Sequence, residues 1–161
     1  MTRRQLFHLL SALGLAPTAS GAATHTAAAG VGRLELSDDE WRKRLTPAQF
    51  DVLRKHGTER AGSSALNQEK RAGAYHCAGC ELALFTSDTK YESGTGWPSF
   101  HTAIAGHLGT QRDFKLILPR TEYHCARCSG HQGHVFDDGP RPSGKRYCNN
   151  GVALRFAPAA A

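Results

Sequence analysis

A chain of 161 residues that is 40% hydrophobic has room for one ordinary domain with its core, and no room for a second. Its 20 Lys and Arg against 14 Asp and Glu leave a net charge of +6. No basic stripe interleaved with aromatics gathers that charge, which argues against a nucleic-acid-binding module.

At the N-terminus, Thr2-Arg3-Arg4-Gln5-Leu6-Phe7 fits the twin-arginine export pattern. It precedes an apolar run, Leu6 to Ala16, and a small-residue zone, Ala19-Ser20-Gly21-Ala22-Ala23. The run is far shorter than the ~20 residues that cross a bilayer, so no permanent membrane span is expected. Residues 1–32 are expected to form the signal and a linker, and residues 33–161 a single domain. That reading puts the protein in the periplasm or otherwise outside the cytoplasm, whereas a plain Ala-rich tail would leave it cytoplasmic. Export of an already folded chain suits thiols that must hold their metal before they meet an oxidising compartment.

Order is expected from near Leu34. Ser37-Asp38-Asp39-Glu40 is a capping box that starts a helix through about Leu45. Thr46-Pro47-Ala48-Gln49 repeats the device with Pro at the first helical position, and this second helix is expected to end at Gly57. Phe50 and Leu53, three apart, give it one apolar face. Beyond Thr58 the helical period gives way to short apolar or alternating runs broken by Gly, Pro, Asn and Asp. Strands are predicted from Ala74 to Cys77, Leu82 to Phe85, Phe114 to Leu118, Glu122 to Cys125, His134 to Phe136 and Val152 to Phe156. Pro119-Arg120 reads as a hairpin turn and Asp137-Asp138-Gly139-Pro140 as a loop. The body is therefore mainly β, with short helices at the N-terminal side.

Five cysteines organise this body. Cys77-Ala-Gly-Cys80 and Cys125-Ala-Arg-Cys128 each follow a Tyr-His pair, as two hairpin-borne half-sites would. Two Cys-x-x-Cys knuckles fit one tetrahedral Zn²⁺, which prefers soft thiolates. A thioredoxin-like redox motif would need a βαβ setting, and a disulfide within each pair would close a ring too small to stabilise much. A site filled by four thiolates has no vacant position for substrate, so the zinc is structural. That leaves Cys148, which is either a small buried hydrophobe or a nucleophile. Arg146, two residues away on a strand, would project to the same face and favour the thiolate.

Three further segments stand beside the knuckles: Gly94-Thr95-Gly96-Trp97-Pro98-Ser99-Phe100, His131-Gln132-Gly133-His134-Val135-Phe136-Asp137-Asp138-Gly139-Pro140, and Arg146-Tyr147-Cys148-Asn149-Asn150-Gly151. Together, in this order, they resemble the B-type methionine sulfoxide reductases over roughly Leu34 to Phe156. The resemblance implies two twisted antiparallel sheets, a β-tent-like fold stabilised by zinc, and the repair of oxidised proteins under oxidative stress. It implies an oxidoreductase that reduces the R epimer of methionine sulfoxide, free or in proteins. Cys148 would attack the sulfoxide sulfur, and one of His131 and His134 would supply the proton. Asp138 and Asn150 would orient the network and Arg146 would serve the thiolate. Trp97 would pack on the S-methyl group, with Phe100 beside it at the substrate.

One departure matters. Many relatives carry a resolving cysteine where this chain has Thr95. A hydroxyl cannot resolve a sulfenic acid, so an external reductant is expected, either a thioredoxin-like protein or a small thiol. Gln132, where an aliphatic residue is usual, and Asn149, where a β-branched one is common, are lesser departures. The competing reading is a non-catalytic, zinc-stabilised β module that binds a protein or ligand in the Trp97 groove.

Overall fold

The computed structural model describes residues 30–114 and 119–160. The twin-arginine segment therefore lies outside the described residues. No helix among those described is long and apolar enough to cross a membrane.

Both capping boxes form. The Ser37 hydroxyl accepts from the Glu40 backbone N–H and the Glu40 carboxylate accepts from the Ser37 N–H at 2.8 Å, which starts α1, Asp38–Arg44. Thr46 and Gln49 do the same for α2, Pro47–Lys55. His56 rather than Gly57 takes the left-handed conformation that ends α2, with φ 56°. Phe50, Val52 and Leu53 are buried, which fixes the inward face of α2.

The rest is a pair of antiparallel sheets. The smaller has the order β2 (Ala83–Thr86), β1 (Gly73–Cys77), β9 (Leu154–Pro158). The larger runs β3 (Lys90–Tyr91), β4 (Ser99–Phe100), β8 (Arg146–Asn149), β7 (His131–Phe136), β6 (Arg120–Cys125), β5 (Leu108–Asp113). Aromatic side chains from both sheets meet between them. Phe85 stacks on Phe100 at 4.1 Å, Tyr75 meets Phe100 edge-on at 4.9 Å, and Tyr123 meets Tyr147 at 5.4 Å. Such pairs add to the area term of burial, so this cluster is the principal clamp between the sheets.

One neighbour of β6 was not predicted. Besides β7, β6 pairs with Leu108–Asp113; Phe114 is exposed, and the rest of the run predicted from Phe114 to Leu118 lies outside the described residues. The strand that does form is a polar sheet edge, held by backbone pairing rather than by an apolar face.

Candidate active site

The two Cys-x-x-Cys segments adopt one geometry twice. Cys77 ends β1 and Cys125 ends β6. In each turn the residue after the second cysteine donates its N–H to the carbonyl of the first, Glu81 to Cys77 and Ser129 to Cys125, both at 2.9 Å. Glu81 and Ser129 are both left-handed, with φ 62° and 56°. The amide of Cys77 donates to Leu82 O at 2.8 Å and that of Cys125 to Gly130 O at 3.0 Å. Across the knuckles, Cys77 Sγ lies 3.6 Å from Cys128 Sγ and Cys80 Sγ 3.4 Å from Cys125 Sγ, and all four sulfurs lie within 4.8 Å of one another. A tetrahedral ion with metal–sulfur bonds of about 2.3 Å sets sulfurs ~3.8 Å apart. The cage therefore suits a metal. Its second shell is in place: Arg54 donates to Cys128 O at 2.9 Å, Arg127 to Cys80 O at 3.2 Å, and the Gln132 amide to Cys77 Sγ at 3.4 Å.

Cys148 stands apart from the cage on β8. Its register partners are Ser99 on β4 and His134 on β7, so His134 and Cys148 share a sheet face, joined two residues along by Arg146. These side chains line a 290 Å³ cavity with Trp97, Thr95, Phe136 and Asn150. Only glycine fits at position 133, because a Cβ there would meet the Cys148 carbonyl oxygen at 1.9 Å. Gly96, with φ 90°, turns the chain so that Trp97 enters the cavity wall.

The predicted site residues divide by position. Trp97, His134, Arg146, Cys148 and Asn150 converge on the cavity. Asp138 does not line it; its carboxylate grips the Arg146 guanidinium through two bonds of 2.8 Å and so aims it. His131 is buried and lines a neighbouring cavity, its Nδ1 2.7 Å from Glu122 Oε1. Phe100 is a correction: it is fully buried in the aromatic clamp, and Phe136 is the phenyl ring on the cavity wall. A two-residue strand pairing Phe100 with Tyr147 leaves its ring between the sheets.

Glu59 went unnoticed in the sequence. Its backbone N–H donates to Asn150 Oδ1 at 3.0 Å, its carbonyl accepts from Trp97 Nε1 at 3.2 Å, and its carboxylate accepts from the amides of Gly151 and Val152 at 2.5 and 3.0 Å. One residue thus sets Trp97 and the turn after Cys148 together. No periodicity marks it, since it lies in a loop.

Electrostatics decide the resting protonation. Burial raises the Cys148 thiol, and the Arg146 charge with bonds from Thr95 and Arg146 only partly offsets it. Arg146 therefore pulls towards ionisation as expected, but desolvation wins and the thiol stays protonated at neutral pH. Burial lowers His134, against the raising effect of its bond to Asp113. Its Nε2 lies 2.7 Å from Asp113 Oδ2, an acceptor only, so the neutral ring carries its proton there and keeps Nδ1 as acceptor.

The two minor departures touch each other. The Gln132 carboxamide accepts from Asn149 Nδ2 at 3.4 Å, and Asn149 Oδ1 accepts from the Tyr123 hydroxyl at 2.7 Å, all three residues fully buried. Gln132→Leu removes one member and takes one of the two acceptors from Asn149 Nδ2, which keeps its bond to Asn150 O, so a loss of about 1 kcal/mol is expected in a denaturant melt. Unchanged stability would mean that the network contributes nothing.

Comparison with known proteins agrees with this geometry. The SelR domain matches residues 45–158. The Peptide methionine sulfoxide reductase MsrB of Leptospira interrogans is 51% identical over 121 residues, covering 74% of this chain and 92% of that protein. The Methanosarcina barkeri protein of the same name is 52% identical over 124 residues, covering 76% and 87%. Peptide methionine sulfoxide reductase B1, chloroplastic, of Arabidopsis thaliana is 51% identical over 122 residues, covering 75% of this chain and 60% of the longer plant protein. A match that spans both knuckles, the Trp97 turn and the strand of Cys148 shows that this chain belongs to the SelR domain family, that of the B-type methionine sulfoxide reductases.

Proposed function

We propose that this protein reduces the R epimer of methionine sulfoxide, free or within proteins, with Cys148 as nucleophile. The observation that carries the reading is the convergence of Cys148, His134, Arg146 and Trp97 on one small cavity. The Cys148 thiol passes its proton to His134, and the sulfur attacks the sulfoxide sulfur. The proton then follows the oxygen as it moves to Cys148, giving a sulfenic acid and the thioether, so atoms and charge balance without an outside acid. Trp97 offers the S-methyl group an apolar platform.

The four-cysteine cage holds a structural zinc, a d¹⁰ ion that takes no part in redox chemistry. With those thiols committed and Thr95 on the cavity wall, the sulfenic acid waits for an external thiol, from a thioredoxin-like protein or a small molecule. The Arg3-Arg4 segment supports export to the periplasm.

An assay of both epimers with dithiothreitol and with thioredoxin tests the function. Turnover of the R epimer alone is expected, with a sulfenic-acid reagent labelling Cys148 when reductant is withheld. Turnover of neither epimer, or a disulfide from Cys148 to a cage cysteine, would contradict the reading.

The proton route sets a pH dependence. His134 must be neutral to accept a proton, and its pKa in the folded protein lies below the ordinary histidine value of about 6.5. The R-epimer kcat/KM is therefore expected to hold as pH falls through 6.5 and to decline only below it. An acid limb at or above 6.5 would remove His134 from that role.

A further inference from the structure

Behind the catalytic cavity lies a second one of 380 Å³, whose lining includes His56, Asp113, Glu122, His131 and His134. Three of these residues close on each other. His131 Nδ1 is 2.7 Å and His56 Nδ1 3.4 Å from the same oxygen, Glu122 Oε1, and the three ligand atoms lie within 4.8 Å of one another. The Glu122 and His131 side chains are 3% and 2% exposed, whereas His56 is 41% exposed and gives a route in from solvent. Glu122 is held anionic: burial would raise it, but bonds from His131 and Gln111 and the proximity of His56 outweigh that.

From this geometry we propose a second metal site, built from His56, Glu122 and His131, for a divalent transition ion of borderline softness such as Zn²⁺. Two imidazoles and one carboxylate form a donor set that suits such ions and not Mg²⁺ or Ca²⁺, which want oxygen. Ligand atoms on a tetrahedral ion with bonds of about 2.0–2.2 Å stand ~3.4 Å apart, the spacing already present between His56 and Glu122. The His131–Glu122 pair is at hydrogen-bond distance, so binding displaces the proton between them and widens the pair by little more than half an ångström. A second-shell contact exists, because Gln111 Nε2 donates to Glu122 Oε2 and steadies the carboxylate. Two arginines line the cavity as well; Arg120 is paired with Asp113 at 2.7 Å and Arg112, on the edge strand, is exposed. His56 takes its place at the left-handed end of α2, a conformation in which Asn, Asp and His are the side chains found most often.

The test is a calorimetric titration of Zn²⁺ into the full chain already carrying one zinc per molecule, in wild type, His56→Asn and Cys148→Ser. Asn tolerates the left-handed position, so His56→Asn is expected to keep the fold and the first zinc. One further equivalent is expected in wild type and in Cys148→Ser, with affinity falling as pH falls because the ion competes with a proton. In His56→Asn its affinity should drop about tenfold or more. Absence of a second equivalent, or one whose affinity His56→Asn leaves unchanged, overturns the site. An equivalent lost only in Cys148→Ser also overturns it, by placing the ion at the nucleophile.

Discussion

Cys148→Ser is expected to abolish sulfoxide reduction, by on the order of 10³-fold or more in single-turnover product formation. The reason is chemical rather than steric. In the proposed reaction the sulfur ends the half-reaction carrying the transferred oxygen as a sulfenic acid, and a serine in its place would have to form an oxygen–oxygen bond. Exchange of one sulfur for oxygen on the half-buried cavity wall leaves the β8 pairing with β4 and β7 intact. Circular dichroism and metal content of the variant should therefore match wild type. Turnover that survived this exchange would take the nucleophile's role away from Cys148, whereas no turnover in wild type either would leave the binding-module reading.

The second large effect is expected from opening the cage. Cys128→Ser, or a strong chelator on wild type, should lower the melting temperature by at least about 20 °C. Structural zinc contributes about 10–16 kcal/mol in small zinc domains, comparable with the whole stability of a typical domain of about 5–15 kcal/mol. The cage also sits under the core: Leu53 of α2 lies against Gly79 and Gly130 of the two knuckles, and Trp41 against Gly79. Without the ion, four sulfurs in contact, three of them in buried residues, would have to share protons, since four thiolates at this spacing repel. A melting temperature that did not move on chelation would show that the sulfurs hold no structural metal.

Much of this was legible in the residues because the signals were local. Ser37 with Glu40 and Thr46 with Gln49 each write a helix start in four letters, and both capping boxes form. Two residues between cysteines fix a turn, so the knuckles were readable before any sheet was placed. Strands with apolar alternation were found within a residue or two, as at β1 and β6. The edge strand Leu108–Asp113 was not, since it is mostly polar and its pairing comes from backbone groups that carry no side-chain signature. The apolar run beside it drew the prediction instead.

Within the site, the motif-borne residues Trp97, His134, Arg146, Cys148 and Asn150 converge, while Phe100 and Glu59 show the limit. Which face a residue of a two-residue strand presents depends on its partner strand, and the anchoring by Glu59 depends on a loop meeting a turn some ninety positions away. The resemblance left the choice between the two histidines open; in the fold their rings lie 5.5 Å apart, both line the second cavity, and of the two only His134 also lines the cavity that holds Cys148.

The buried carboxamide of Gln132 has an outcome for how the molecule fails. It hangs from a cage sulfur at one end and, at the other, grips the residue next to the nucleophile. Two hydrogen bonds and one peptide link, with the side chains between them, join the cysteine cage to Cys148. Damage to the cage is therefore expected to reach the groove, so that loss of the metal and loss of activity should coincide.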